Sequence, residues 1–354
     1  MLLRSRLVLL YALFFLTQLV GLVYTENLQA GTRKTMVLLP FLVLPAIIVG
    51  EAKNVFVTKL YSALKFAVPL VFVVMALLYF ISKDFHGLGS FVQLWFVNRL
   101  GISQFYLVFL LLLPIFFCAK DIENKNALLN TILVSSSSFF ILLMNNFTGL
   151  LFLVVALALF LRNLFRNASK GYFLVIMPTV IVILLMVVLA NPTIEKKFDP
   201  LITTSMEINE IKVKNKYGYT RNTFEHRLYI HYLAISDFKN NFPIGVGTGD
   251  TQEYLNQLYR KNNFLVGIKR ELNAHSQYLQ EYLKTGLLGF LSLSLLFFYM
   301  LKHCQSRNSI FFFYILFFAV ACAMESYLNR YHGVIICSGI IPLLMIYGAN
   351  KEIK

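Results

Sequence analysis

The sequence is short of the residues that a soluble globule of its length needs. Only 14% of its 354 residues are charged, while 58% are hydrophobic and mean hydropathy is +0.68. Too few polar side chains remain to coat a water-facing surface, so a bilayer must supply most of the solvent. Cysteine is sparse as well: Cys118, Cys304, Cys322 and Cys337 lie in or beside apolar runs, and the one long polar stretch has none. That argues against a disulfide framework and against a metal cluster with CxxC spacing. Acidic residues number 17 against 32 basic ones, an excess that in a soluble chain would suggest a polyanionic partner. Here the basic residues gather in short loops between apolar runs, as orientation signals do, and no nucleic-acid binding is expected. No internal repeat is visible.

What the chain has in quantity is apolar runs. A helix needs about twenty apolar residues to cross the hydrocarbon core, somewhat fewer when polar ends snorkel. By that ruler spans are expected near 7–24, 35–50, 64–81, 104–119, 127–144, 148–161, 172–190, 286–301, 310–324 and 333–348. Arg4 and Arg6 precede the first run as in a signal peptide, but no small-residue cleavage site follows, so it reads as a retained span. With the N-terminus inside, cytoplasmic stretches hold fourteen Lys and Arg and short outer loops only five, Arg33, Lys34, Lys83, Arg99 and Arg330. That bias orients the chain and puts the polar stretch outside. The expectation is an all-α polytopic membrane protein with about ten transmembrane helices and one large periplasmic loop containing short amphipathic helices. Three parts follow: 1–189 with seven spans, the loop 190–285, and 286–354 with three spans. Apart from Lys65 the expected spans contain no charged residue, which disfavours an ion-coupled transporter.

Ionisable and turn-forming residues concentrate in the loop, where a charged substrate would be handled. His226–Phe238 (HRLYIHYLAISDF) puts Leu228, Tyr232 and Ile235 at helical spacing, as in an interfacial amphipathic helix, and Pro243 follows its end. Ile244–Asp250 (IGVGTGD) lacks the strand and the GxGxxG spacing of a nucleotide loop. It reads first as a tight turn that brings backbone close to a neighbour, although its N–H groups, at Gly247 for instance, could help to hold an anion. Thr251–Arg260 suits a short polar helix. Tyr278, Leu279, Tyr282 and Leu283 make one apolar face, so a helix is expected from about Asn273 to Gly286, with His275 in its first turn. By position alone His275 is a polar loop residue and Arg227 a snorkelling cation.

Three stretches, taken in order, resemble the O-antigen ligase and polymerase superfamily of bacterial membrane glycosyltransferases. Arg227–Asp250 is similar to its segment of an arginine, an amphipathic helix, a proline and a GVGTG-like turn. Ala274–Gly289 is similar to its signature of His, Asn or Ser, Gln, aromatic and Leu, then a glycine pair ahead of a span. Glu325–Gly333 (ESYLNRYHG) is similar to the short acidic stretch before the final helix of many ligase-like members. The resemblance covers about 190–348, and the earlier spans only through topology. Members often have more spans, their tryptophan after the arginine is absent here, and Ser276 stands where asparagine is common.

The resemblance implies a multi-pass protein of the bacterial inner membrane, in lipopolysaccharide biosynthesis, with its site facing the periplasm. It implies transfer of a glycan from an undecaprenyl diphosphate-linked donor to an acceptor hydroxyl on another glycan or on lipid A core. A leaving diphosphate needs fixed cations, and arginine offers a planar, permanently charged fork. Arg227 is the first choice, with Arg221 and Arg270 behind it. The attacking hydroxyl needs a base near neutral pH, which suits His275. Gly247, Gln277, Glu325 and Arg330 are the further substrate-binding candidates. No cofactor is expected, and the sequence has no Asp-x-Asp pair of the kind that holds a metal in many nucleotide-sugar glycosyltransferases, so the reaction is expected to be metal-independent. The same chemistry would serve a polymerase, whose acceptor is another lipid-linked repeat unit. A transporter of lipid-linked sugars is the reading from a different class.

Overall fold

The structure, a computed structural model, describes residues 2–50, 55–82, 87–121, 126–144, 146–167, 203–216, 222–237, 242–307 and 309–351. The span expected at 172–190 and the candidate Arg221 lie outside the described residues. In chain order the principal helices are α1 (Leu2–Val23), α2 (Leu28–Val37), α3 (Pro40–Gly50), α4 (Val55–Ile81), α5 (Gln104–Lys120), α6 (Ala127–Leu143), α7 (Phe147–Asn167), α8 (Ile208–Lys216), α9 (Thr223–Ser236), α10 (Thr251–Lys261), α11 (Leu265–Arg270), α12 (Gln277–Arg307) and α13 (Ser309–Met324), followed by an apolar helical stretch from Tyr331 to Tyr347. Among the described residues there is no strand.

Helices cover the other nine expected spans. Among the described residues five segments are long and apolar enough to cross a membrane: Arg6–Val23, Leu28–Gly50, Phe56–Ile81, Phe147–Arg166 and Gln277–Cys304. Gln104–Lys120, Ala127–Leu143, Ile310–Met324 and Tyr331–Tyr347 are apolar but shorter. The second segment is broken where Pro40 opens α3, a position at which proline's missing N–H costs nothing.

Two compact units emerge. One comprises Lys53–Lys197, Cys304–Phe317 and Tyr347–Lys354. Within it α5 packs against α4, α6 and α7, Phe152 stacks on Phe317 with ring centroids 4.4 Å apart, and Lys65 lies 3.7 Å from Asp121.

The other comprises Met1–Ala52, Phe198–His303 and Phe318–Ile346, and it holds the polar stretch. There α8 to α11 and the start of α12 share a hydrophobic core in which Tyr229, Leu233, Leu255, Tyr259, Phe264 and Leu283 are buried. Burying each such side chain is worth about 1.5–3 kcal/mol. Asn222 caps α9, its Oδ1 accepting the N–H groups of Phe224 and Glu225 at 2.9 and 3.4 Å. On α9 the expected interfacial residues Tyr232 and Ile235 are exposed, while Tyr229, Ile230 and Leu233 enter the core. Apolar residues occupy both faces, so spacing alone could not choose between them.

The glycine turn has a structural task in the same unit. The helical track of α12 is interrupted at Thr285 and Gly286, near where the sequence suggested a helix end. A kink frees carbonyls that water or other chain must satisfy. Val246 and Gly247 donate their N–H groups to Leu283 O and Lys284 O at 2.8 and 2.9 Å, and Leu287 N–H donates to Pro243 O at 2.8 Å. Gly286 has φ +62°, and a Cβ there would collide with the Pro243 carbonyl, so only glycine fits. Asp250 closes the turn by accepting from Thr25 Oγ1, Glu26 N–H and Asn27 N–H at 2.7, 2.7 and 2.8 Å.

Candidate functional site

The expected start of α12 needs correction, and the correction bears on the site. The helix begins at Gln277, so His275 precedes it instead of lying in its first turn. Asn273 and Ser276 are both cap-type residues, and the later one prevails. Asn273 Oδ1 accepts the His275 N–H at 2.9 Å, closing a turn before the helix, while Ser276 accepts from Leu279 and Gln280. His275 adopts a left-handed backbone with φ +46°, a conformation that costs a non-glycine residue on the order of 1–2 kcal/mol. Such strain persists where surrounding contacts over-determine it, and it clusters at functional sites.

The His275 ring reaches across to Glu325, at the end of α13. Its Nδ1 lies 3.1 Å from both carboxylate oxygens. A carboxylate can only accept, so Nδ1 carries the proton, and in the neutral ring the lone pair is left on Nε2. Arg227, on α9, donates from Nη2 to Glu325 Oε2 and from Nη1 to Met324 O, each at 2.8 Å. Burial pushes the Glu325 carboxyl up, but the His275 ring hydrogen-bonded to it, the Arg227 charge and the Ser326 N–H together outweigh it and hold the group below its ordinary value. Side chains of His275, Glu325 and Arg227 remain 19%, 16% and 23% exposed, so solvent reaches all three.

Two apolar cavities flank this cluster. One of about 220 Å³ is lined by Arg227, Leu228, His231, Phe224 and Met324 among others. The second, of about 470 Å³, is lined by His231, Ser276, Tyr278, Leu279, Tyr282 and Phe290 among others. An apolar space beside a cation and an imidazole suits an amphiphile with a charged head.

Of the sequence-derived candidates, the structure brings together His275, Arg227 and Glu325. Gln277 lies behind them, fully buried, its Oε1 accepting the Leu328 N–H of the turn after Glu325 at 2.7 Å. Gly247 is in the kink-satisfying turn, its N–H spent on Lys284 O. Arg270 and Arg330 are exposed at the ends of short elements, apart from these contacts.

Sequence reasoning missed two things. His231 lines both cavities and bonds Ala274 O through Nε2 at 3.1 Å; its place four residues after Arg227, on one helical face, was the available signal. Burial lowers its pKa, with His275 and Arg227 adding to that against two backbone hydrogen bonds that raise it. The other is a buried pair just ahead of the expected span 286–301, Glu281 and Lys284 in the first part of α12. Glu281 accepts from Lys284 Nζ at 2.7 Å, Gln277 Nε2 at 2.6 Å and Gln18 Nε2 at 2.7 Å. The pair read as solvated loop charges because it lies on the polar part of α12, before the break at Thr285 and Gly286.

The family model described as O-antigen ligase matches residues 132–294. That match supports the resemblance to the O-antigen ligase and polymerase superfamily. No curated protein matches the chain significantly. The matched stretch contains Arg227, the glycine turn and His275, whereas Glu325 lies beyond it.

Proposed function

We propose that the chain is an O-antigen ligase-type glycosyltransferase that moves a glycan from undecaprenyl diphosphate to an acceptor hydroxyl, lipid A core being the favoured acceptor. In this reading it has about ten spans, with 1–189 and 286–354 in the inner membrane and 190–285 facing the periplasm. The observation that carries the reading is the junction of His275, Glu325 and Arg227 beside two apolar cavities.

Glu325 holds the His275 ring with Nδ1 protonated, so Nε2 is the atom that takes a proton. The acceptor hydroxyl oxygen attacks the anomeric carbon of the donor, and the hydroxyl proton passes to Nε2. The bond from that carbon to the diphosphate oxygen breaks, and its electron pair leaves with the diphosphate. Arg227 meets the charge that develops there; two of its five N–H groups hold Met324 O and Glu325, and the others are donors for the diphosphate. With no Asp-x-Asp pair in the sequence, the cation is assigned to arginine, and a chelator should leave the rate unchanged.

Reconstitution with a lipid diphosphate glycan and candidate acceptors tests the proposal. Transfer onto lipid A core supports it; chain growth on a second lipid-linked repeat unit would make the protein a polymerase; no transfer to any acceptor would overturn the enzymatic reading. Labelling of cysteines introduced at the exposed positions 253 and 270 should occur from outside only.

A further inference from the structure

We infer that His231 is a positioning residue whose Nε2–H holds the peptide before His275, keeping that residue in its left-handed conformation and its ring on Glu325. The inference rests on the reading of His275 as the base.

Two turns distant in the chain must meet for the His275–Glu325 contact to form, and one face of α9 grips both. Arg227 holds the turn at Met324 and Glu325 with two hydrogen bonds of 2.8 Å. His231, one helical turn later, holds the other at Ala274 O, 3.1 Å from Nε2. A carbonyl only accepts, so His231 donates from Nε2. Ala274 O belongs to the peptide plane whose rotation against the His275 Cα defines φ, and that angle is +46°. Left-handed backbone costs a non-glycine residue energy of the same order as one neutral hydrogen bond provides. Asn273 Oδ1 holds the N–H side of this peptide at 2.9 Å and His231 its carbonyl side, so losing the His231 bond frees the carbonyl to turn and shifts the imidazole against the carboxylate. The rival account makes His231 a wall between the two cavities, both of which it lines. That account needs its bulk and not its N–H.

Two substitutions in the full-length protein separate these accounts. His231→Phe keeps the bulk and removes the donor, whereas His231→Gln keeps a donor. Peptide-resolved carbethoxylation of His275 by diethyl pyrocarbonate reports where that ring is without reference to turnover. The inference expects His231→Phe to change the carbethoxylation rate of His275 and to lower kcat on the order of 10²-fold, as misplacement of a reacting group does. His231→Gln should recover most of both. Adding His231→Phe to a His275→Ala background should cost nothing more, because residues acting as a unit are not additive. Unchanged His275 reactivity and turnover in His231→Phe would overturn the inference, as would equal losses in Phe and Gln variants or an additive double mutant. Should His275→Ala itself retain full transfer, the catalytic reading fails, while the carbethoxylation rates still decide whether His231 holds the turn.

Discussion

Two charged clusters flank the start of α12, and they differ in what can reach them. At His275, Glu325 and Arg227 between 16% and 23% of each side chain stays exposed, and apolar cavities adjoin. At Glu281 and Lys284 exposure falls to 0% and 2%, and the carboxylate's hydrogen bonds come from Gln18, Gln277 and Lys284 within the fold. Both clusters join segments far apart in sequence, yet only the first keeps polar atoms that a substrate could reach. A sealed ion pair fixes structure, since desolvation makes each member depend on the other. An open one can exchange partners during a reaction.

The sealed cluster is most vulnerable at Glu281. Replacing it by leucine leaves Lys284 buried without its carboxylate, which should cost about 3–5 kcal/mol, read as lost membrane abundance and a lower melting temperature in detergent. Adding Lys284→Met should restore much of that. Normal abundance of Glu281→Leu alone would mean the sealed cluster does not hold the fold.

At the open cluster Glu325→Gln should leave abundance unchanged and lower kcat on the order of 10²-fold, because the ring loses its orienting carboxylate. The pH dependence sharpens this. Glu325 titrates below its ordinary value in the folded chain, so its contribution is present above that value and is lost as pH falls through the depressed one. Rates of wild type and Glu325→Gln should therefore differ across neutral and mildly acid pH and converge only in stronger acid. A gap that closes already near neutral pH would contradict the assignment.

Smaller effects belong to residues outside both clusters. Asp250→Ala removes the acceptor for Thr25, Glu26 and Asn27 and should cost about 1–2 kcal/mol in thermal stability. Arg270→Ala and Arg330→Ala, at exposed positions, should change transfer by less than about twofold. A tenfold loss from either would extend the open cluster to include it.

Apolar length and turn residues made much of this fold legible in the sequence, since among the described residues helices cover the expected runs, 148–161 for one. His275 and Arg227 were legible through the ordered resemblance, and Glu325 through the acidic stretch before the last helix. Which face of α9 is buried was not legible, because Tyr229 and Tyr232 are alike in chemistry and only packing separates them. The contact of Glu325 with His275 was hidden as well: 50 residues separate the two, and pairing over that distance is a tertiary fact. That Glu281 and Lys284 are buried as a pair was not legible either, because the same three-residue spacing also occurs between solvated charges.

The most direct measurement is glycan transfer by His275→Ala, purified at normal yield and supplied with a lipid diphosphate donor and acceptor. An imidazole acting as base predicts a kcat at least on the order of 10²-fold below wild type, with donor KM little changed. Turnover at the wild-type rate would remove the base from the mechanism and the central claim with it.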